Sequence, residues 1–256
     1  MPVTTDILGV PLHMTTLDGA VREAGRWICE GRRAYICHVN VHSLTASRDD
    51  PRLRAALAGA DLAATDGMPL VWIGRSRGFD CGRVYGPDLM EALCRATAGW
   101  RGRPCRHFLY GATAPVLEAL RHRLAVLAPG VSIAGTLAPP MRPLTPEEEA
   151  QHRQQIDASG AHVVWVGLGA PRQELWMARN RPLLKAELLV GVGAAFDFLA
   201  GTKPQAPVWM RRAGLEWAFR LATEPRRLAW RYLSGNSRFL ALLMASAIAG
   251  RIRPPP

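Results

Sequence analysis

Short apolar runs, separated by stretches of helical periodicity, constrain the fold of this chain more than any other feature of its sequence. The runs are AYICHV (34–39), DLAAT (61–65), RHFLYG (106–111), VSIAG (131–135), HVVWVG (162–167) and ELLVGV (187–192). Alternation of this kind is typical of a parallel sheet covered by helices. It predicts an α/β fold, with a Rossmann-like parallel sheet flanked by helices.

The stretches between these runs carry helix signals of their own. Leucines at positions 117, 120, 124 and 127 recur at helical spacing, and Pro129-Gly130 ends the pattern. Thr145 follows a proline-rich loop and precedes acidic residues, which predicts a helix N-cap. We therefore expect a helix between 111 and 130 and another that begins near 145.

The charge of the chain is concentrated at its C-terminal end. The net charge is +11, and residues 203–256 hold ten Lys or Arg against two Glu, so this segment carries +8 of it. The same segment is rich in aromatic residues and has a helical pattern. We predict two parts, an α/β body at 1–202 and a basic, aromatic, helical appendage at 203–256. The excess charge favours an anionic partner such as lipid, nucleic acid or a phosphorylated substrate.

Cysteine usage and hydropathy limit the location of the protein. The five cysteines form no CxxC pair and are odd in number, which favours neither a disulfide framework nor a zinc site. The first 16 residues show no signal-peptide pattern, and the longest apolar run, 239–250, falls short of the roughly 20 residues of a spanning helix. These features predict a cytoplasmic protein that does not cross a bilayer.

Polar residues at the ends of two predicted strands are candidates for a site, because ligands of open parallel sheets bind beyond the carboxyl ends of the strands. Asn40 and His42 follow the first run directly, and Asp66 follows the second. For each there is a simpler interpretation: Asn40 and His42 as turn residues, and Asp66 as a helix N-cap. The functional alternative for Asp66 is a general base.

Two further strands end in Gly-x-Gly, in VGLGAPRQE (166–174) and VGVGAAFDF (190–198). Glycine at such a position lets a ligand approach the backbone, and a helix N-terminus that follows favours phosphate. Neither segment completes GxGxxG, because Arg172 and Phe196 stand where the third glycine would be. A dinucleotide fingerprint is therefore not met.

Longer strings resemble a known family of enzymes. VGLGAPRQELWMARNRP and GVGAAFDFLAGTKPQAPVWMRRAGLEWAFRLATEPRRLAWRYLSGNSRFL are similar to the C-terminal half of the WecG/TagA/CpsF glycosyltransferases, glycosyltransferase family 26. VNVHSLTASRDDPRLRAALAGADLAATDGMPLVW and RVYGPDLMEAL are similar to the N-terminal half. The resemblance spans about 5–240. In many members a Thr-x-Asn stands on the first strand, whereas here His38 occupies the threonine position and Asn40 is kept.

The resemblance implies an inverting transferase of cell-surface or exopolysaccharide synthesis, peripheral at the inner face of the cell membrane. The donor would be UDP-N-acetylmannosamine, its uronic acid, or a related UDP-hexose such as UDP-glucose. The acceptor would be a sugar linked to polyprenyl diphosphate. Partners would then be these two substrates and an anionic membrane surface, with no nucleic acid; a homo-oligomer is left open.

The resemblance, with the strand-end pattern, also assigns site residues. Asp66 would be the general base, with Asn40 and His42 beside it in the catalytic group. Donor-binding residues are predicted at the glycine-rich strand ends and the helices after them: Gly111, Gly167, Gly169, Gln173, Gly193 and Asp197. Appendage arginines would engage the acceptor diphosphate and the membrane: Arg211, Arg212, Arg220, Arg226, Arg227 and Arg231.

We predict no metal and no other cofactor, because the chain contains no Asp-x-Asp to hold a divalent ion. Arginines and helix N-termini would then stabilise the charge that develops on the departing UDP. Two other classes stay open from the residues alone. One is a nucleotide-dependent α/β oxidoreductase, and the other is a basic nucleic-acid-binding protein.

Overall fold

A computed structural model describes residues 2–100, 104–223 and 235–245 of the chain. Within these residues it has one eight-stranded sheet, in the order β1-β2-β4-β3-β8-β7-β5-β6. The strands are β1 (Val3–Ile7), β2 (Val10–Met14), β3 (Ala34–Val39), β4 (Leu62–Thr65), β5 (Arg106–Gly111), β6 (Ser132–Leu137), β7 (Val163–Gly167) and β8 (Leu188–Gly191). Apart from the antiparallel β1–β2 pair, the neighbouring strands are parallel.

The predicted α/β class is confirmed, and each of the six apolar runs contains or overlaps a strand. The hairpin of β1 and β2 was not predicted. It turns at Leu8 and Gly9, both with positive φ, and the Asp6 carboxylate accepts a hydrogen bond of 2.9 Å from the Gly9 N–H. Its strands are short and mark the edge of the sheet, so their alternation was a weak signal.

Helices cover both faces of the sheet. In chain order they are α1 (Leu17–Glu30), α2 (Val41–Ala46), α3 (Pro51–Ala58), α4 (Met68–Ser76), α5 (Gly86–Ala98), α6 (Ala114–Leu127), α7 (Pro146–Ala158), α8 (Arg172–Asn180), α9 (Ala195–Ala200), α10 (Val208–Arg212) and α11 (Glu216–Thr223). Residues 235–245 are helical as well. The predicted helix between 111 and 130 is confirmed as α6, and Thr145 caps α7 in a capping box with Glu148.

Two layers of core flank the sheet because successive strand residues point to opposite faces. From β3, Tyr35, Cys37 and Val39 enter one cluster with residues of α2, α3, α4 and α8. Ala34 and Ile36 enter the other, with residues of α1, α5, α6 and α9. The central strands are therefore buried on both faces, and their carboxyl ends open at one edge of the sheet.

The described part of the segment 203–256 rests on the α/β body. Phe239 is buried in the first core cluster, and Arg211 donates to Asp88 of α5 at 2.8 Å. Arg238 also forms an ion pair with Asp49. The predicted boundary falls between α9 and α10.

Candidate active site

A cavity of about 890 Å³ lies beyond the carboxyl ends of β3, β4 and β8. Its floor is formed by the segments that leave these strands, and its walls include residues of α4, α8, α11 and the 235–245 helix. β3 and β8 are hydrogen-bonded neighbours although some 150 residues separate them in the chain. Tertiary pairing therefore assembles the floor from distant segments.

Asp66 leaves β4 at this floor, and its carboxylate does not cap the helix that follows. The N-cap of α4 is Gly67, which has no side-chain cap hydrogen bond, so the N-cap interpretation of Asp66 is wrong. Instead its Oδ1 lies 3.3 Å from both Nε and Nη2 of Arg83, and its carbonyl oxygen accepts from Arg83 Nε at 2.6 Å. Asp66 is thus a largely buried carboxylate beside a cation, on the cavity surface.

Burial raises the pKa of Asp66 above its ordinary value, against the opposing effects of Arg83 and His38, and Glu216 raises it further. A carboxylate with a raised pKa is a stronger base. Since Asp66 also faces an open cavity, the arrangement suits proton abstraction from a bound hydroxyl.

Asn40 and His42 border the same cavity at the start of α2. Asn40 is the N-cap of this helix: its Oδ1 accepts from the Ser43 N–H at 3.0 Å, and Ser43 Oγ accepts from the Asn40 N–H at 3.0 Å. The side-chain oxygen of Asn40 is thus used to cap α2, where the simpler interpretation from the sequence was a turn residue. The cap also fixes where the first turn of α2, which carries His42, meets the cavity.

His38 lies on β3, one residue before the end of the strand. Its Nδ1 lies 2.9 Å from the carbonyl oxygen of Gly191. Because a carbonyl can only accept, Nδ1 carries the proton and Nε2 presents a lone pair. Nε2 is buried and has no partner among the described residues, and burial lowers the pKa of the ring so that the neutral form is favoured. His38 thus places a neutral hydrogen-bond acceptor at the cavity.

The predicted donor residues divide into two groups. Gly169, Gln173 and Gly193 line the cavity, in the segments after β7 and β8. Gly111, Gly167 and Asp197 do not line it in the described part of the chain. The carboxylate of Asp197 instead accepts from Lys203 Nζ at 3.2 Å and from Thr202 Oγ1 at 3.3 Å, close to the end of α9.

Gly111 and Gly167 lie opposite each other on β5 and β7, where there is no room for a side chain. A Cβ on Gly111 would lie 2.8 Å from Cα of Gly167, and a Cβ on Gly167 would lie 2.6 Å from the ring of Phe196. By contrast, a Cβ on Gly169 would meet no atom within 4 Å, and Gly169 has φ +76°. Glycine therefore permits close packing at 111 and 167, whereas at 169 it permits a turn next to open space.

The cavity is also lined by residues for which the sequence predicted no role. Arg83 and Tyr85 lie in the RVYGPD segment, Glu174 follows Gln173, and Glu216 begins α11. Gln173 Nε2 donates to Glu174 Oε1 at 2.9 Å, while Gln173 Oε1 and Glu174 Oε2 are buried without a partner among the described residues. The only sequence signal for these residues was the family-like string in which each stands.

The predicted appendage arginines have different surroundings. Arg220 lines the cavity, with its guanidinium carbon 5.9 Å from the centre of the Phe198 ring. Arg211 is paired with Asp88 and does not border the cavity in the described part of the chain. The side chain of Arg212 and the whole of Arg226, Arg227 and Arg231 lie outside the described residues.

Among the residues that the structure describes, no group of three or more His, Cys, Asp or Glu side chains is placed to hold a metal ion. In the same part of the chain, no helix is long and apolar enough to span a bilayer.

A comparison with protein-family models decides the class of enzyme. The model of the glycosyl transferase WecG/TagA/CpsF family matches residues 5–253, which is nearly the whole chain. The chain belongs to this family. It is therefore a glycosyltransferase, and the family points to cell-surface polysaccharide synthesis. Membership decides among the three classes that the residues left open, in favour of the transferase over an oxidoreductase or a nucleic-acid-binding protein.

Proposed function

We propose that the chain transfers a hexose-type sugar from a UDP-sugar to a saccharide linked to polyprenyl diphosphate, with inversion at the anomeric carbon. The observation that carries this proposal is Asp66, a largely buried carboxylate at the floor of a cavity of about 890 Å³, beyond the strand ends of a glycosyltransferase. The cavity is of the size that takes a nucleotide sugar.

In the proposed reaction Asp66 takes the proton of the acceptor hydroxyl as its oxygen attacks the anomeric carbon. The bond between that carbon and the β-phosphate oxygen breaks at the same time, and UDP leaves with the electron pair. Attack from the face opposite the leaving group inverts the configuration. The products are the extended lipid-linked saccharide, UDP and a protonated Asp66.

The departing diphosphate needs positive charge, and Arg220 is placed to supply it. Its side chain borders the cavity, whereas Arg83 is already held between two carboxylates. Gly169 and Gly193 add a floor on which the donor can approach the backbone, because neither carries a side chain. Gln173, whose side chain lies near Gly191 and Gly193, offers an amide for a polar group of the donor.

A membrane role is supported by exposed apolar side chains around the mouth of the cavity. Trp72, Trp217 and Leu240 line it and are 54%, 48% and 58% exposed, and Trp209 on α10 is 64% exposed. Tryptophan suits the headgroup region of a bilayer, and the basic segment favours anionic lipid. We propose that the protein works at the inner face of the cell membrane, where a lipid-linked acceptor is within reach of the cavity.

A panel of UDP-sugars tests the donor. Each is added to the purified chain, and protection against thermal unfolding is measured, since a ligand that binds only the folded protein raises its apparent stability. Protecting sugars are then incubated with a polyprenyl-diphosphate-linked saccharide, and the anomeric configuration of the product is read by NMR. Retention of configuration, or transfer without any UDP-sugar, would contradict the proposal.

A paired comparison tests the membrane surface. The double variant Trp209→Ser and Leu240→Ser should weaken sedimentation with anionic vesicles, while Met141→Ser, which removes an 81% exposed apolar side chain of the α/β body, should leave it unchanged. Added salt should also weaken vesicle binding by screening the arginines. Stronger sedimentation with duplex DNA than with vesicles would instead favour a nucleic-acid partner.

A further inference from the structure

One guanidinium serves two carboxylates at the site. Arg83 Nη2 donates to Glu216 Oε2 at 2.7 Å and to Asp66 Oδ1 at 3.3 Å. Asp66 belongs to the α/β body, whereas Glu216 is the first residue of α11, beyond the predicted boundary at 202/203. The cation next to the proposed base is therefore held more closely by a carboxylate from the C-terminal segment than by the base itself.

Glu216 is fixed from a second side. Tyr85 donates its hydroxyl hydrogen to Glu216 Oε1 at 3.0 Å, and the Tyr85 oxygen accepts from Gln205 Nε2 at 3.2 Å. Arg83 also stacks over the ring of Tyr85, with its guanidinium carbon 4.0 Å from the ring centre. Glu216 is only 8% exposed. Both oxygens of the carboxylate are thus engaged, and its position is set by the body.

The charge balance of this group bears on the strength of the base. A lone arginine next to an aspartate lowers the aspartate pKa by roughly 1–3 units. Here the single positive charge faces two carboxylates, so Asp66 is not fully neutralised. The charged or titratable groups around Asp66 are Arg83, His38 and Glu216, and those around Glu216 are Arg83 and Tyr85. Among these groups Glu216 is the negative one that offsets the charge of Arg83.

We propose that Glu216 is a positioning residue that holds Arg83 and offsets its charge, so that Asp66 stays basic only when α11 is docked on the α/β body. The proposal rests on the proposed role of Asp66 as base. It makes the C-terminal segment part of the chemistry, because an undocked α11 would leave Arg83 to pair with Asp66 alone.

The test measures the Asp66 pKa directly in the full-length protein. Asp66 is followed by ¹³C NMR of labelled aspartate, with its signal assigned by its loss in Asp66→Asn. Glu216→Gln keeps the size, and its one amide oxygen can still accept from Arg83, but it removes the charge, so we expect the Asp66 pKa to fall by roughly one unit. The acidic limb of kcat/KM should move to lower pH by the same amount, and the plateau should fall several-fold because the base is weaker.

Three further variants separate charge from docking. Asp88→Asn removes only the ion pair between Asp88 and Arg211 of α10. Glu216 keeps its contacts with Arg83 and Tyr85, so α11 stays in place and the Asp66 pKa should not change. In an Arg83→Gln background, Glu216→Gln should change that pKa much less, since the effect acts through Arg83. Glu216→Asp keeps the charge but draws it back by one methylene, so its shift should be intermediate; it also serves if Glu216→Gln does not fold.

An unchanged Asp66 pKa in both Glu216 variants would overturn the proposal. The NMR result does not depend on turnover. If Asp66→Asn keeps its activity while Glu216→Gln still lowers the Asp66 pKa, the role of Asp66 as base fails and the link between Glu216 and Asp66 stands.

Discussion

The two halves of the sheet differ in what lies beyond their strand ends. On the side of β5 and β7, Gly111 and Gly167 face each other and the ring of Phe196 fills the space above them. On the side of β3, β4 and β8, the strand ends open into the cavity that holds Asp66. Glycine at a strand end is therefore no sign of a ligand by itself, since what packs against it decides whether space remains.

The same contrast appears within one motif. In the Gly-x-Gly after β7, Gly167 packs against Phe196, whereas Gly169, two residues later, lines the cavity. We call the side of β5 and β7 the closed half of the sheet, and the side of β3, β4 and β8 the open half. The chain turns at Gly169 with positive φ, which carries it from the closed half to the open half. The four predictions below test this division, beginning with the largest effect.

Removal of the cover from the open half should abolish activity. A truncation at Thr202 deletes the part of the cavity wall formed by α11 and the 235–245 helix, and it takes Glu216 from Arg83. We expect a folded protein, by circular dichroism, that neither turns over a lipid-linked acceptor nor binds anionic vesicles. Asp49→Asn, which breaks only the ion pair with Arg238, is the control and should stay active. Full turnover by the truncated chain would show that the α/β body at 1–202 holds a complete site without α11 and the 235–245 helix.

Asp66→Asn should lower turnover by roughly 10²-fold or more and leave UDP binding nearly intact, because an amide cannot accept the proton. The same substitution should not destabilise the folded protein at neutral pH. Burial raises the pKa of Asp66, so its contribution to stability is present below the unfolded pKa and is lost as pH rises. The melting temperature at pH 7 should therefore not fall. Near-normal turnover would remove Asp66 from the catalytic role.

Two neighbouring glycines should respond in opposite ways. Gly167→Ala drives a methyl group into the Phe196 ring and should lower the free energy of unfolding by about 1–3 kcal/mol. Gly169→Asn, with a residue that tolerates positive φ, should keep the fold and weaken UDP binding. Urea unfolding and calorimetric titration with UDP measure the two effects. If Gly169→Asn binds UDP as the wild type does, the donor lies elsewhere.

The smallest expected effect is a pH dependence confined to the closed half. His107 on β5 accepts from Trp165 Nε1 at Nδ1, at 3.0 Å, and its Nε2 lies 2.9 Å from Thr97 Oγ1. Burial lowers the pKa of His107 to about 3. Its neutral form thus stabilises the fold above the unfolded pKa near 6.5, and this stability is lost as pH falls.

Between pH 7 and pH 5 we expect the free energy of unfolding to fall by up to about 2 kcal/mol from this group. His107→Gln should lack that part of the slope, as urea unfolding at the two pH values would show. UDP binding should be the same in the variant and the wild type at pH 7, since His107 does not border the cavity in the described residues. An identical slope in the variant would mean that another group titrates.

The sequence predicted most of the sheet because buried parallel strands are continuous apolar runs, as at 34–39 and 106–111. It also predicted the position of Asp66, since a polar residue directly after such a run must lie at the strand's carboxyl end. It could not predict that Gly67, and not Asp66, is the N-cap of α4. That outcome depends on whether the helix begins one residue earlier or later.

The network around Asp66 was beyond the reach of the sequence. Arg83 is 17 residues from Asp66, and Glu216 is 133 residues from Arg83. No periodicity or spacing links such positions, and the strings that contain them showed only a likeness to a family. Nor could the sequence distinguish Gly167 from Gly169, because the difference lies in the ring of Phe196 that packs on one of them.

By itself, then, the sequence determined the α/β class, the strand ends where polar residues gather, and the family of enzymes. The class and the strand ends follow from local patterns, because burial and helical or strand periodicity are visible in adjacent residues. The family follows from the resemblance of longer strings. Only the tertiary structure decided which strand ends remain open, which of two carboxylates holds Arg83, and where α11 lies. Those outcomes depend on contacts between segments far apart in the chain. Packing and charge pairing at each residue are set by its neighbours in space, which the local sequence does not contain.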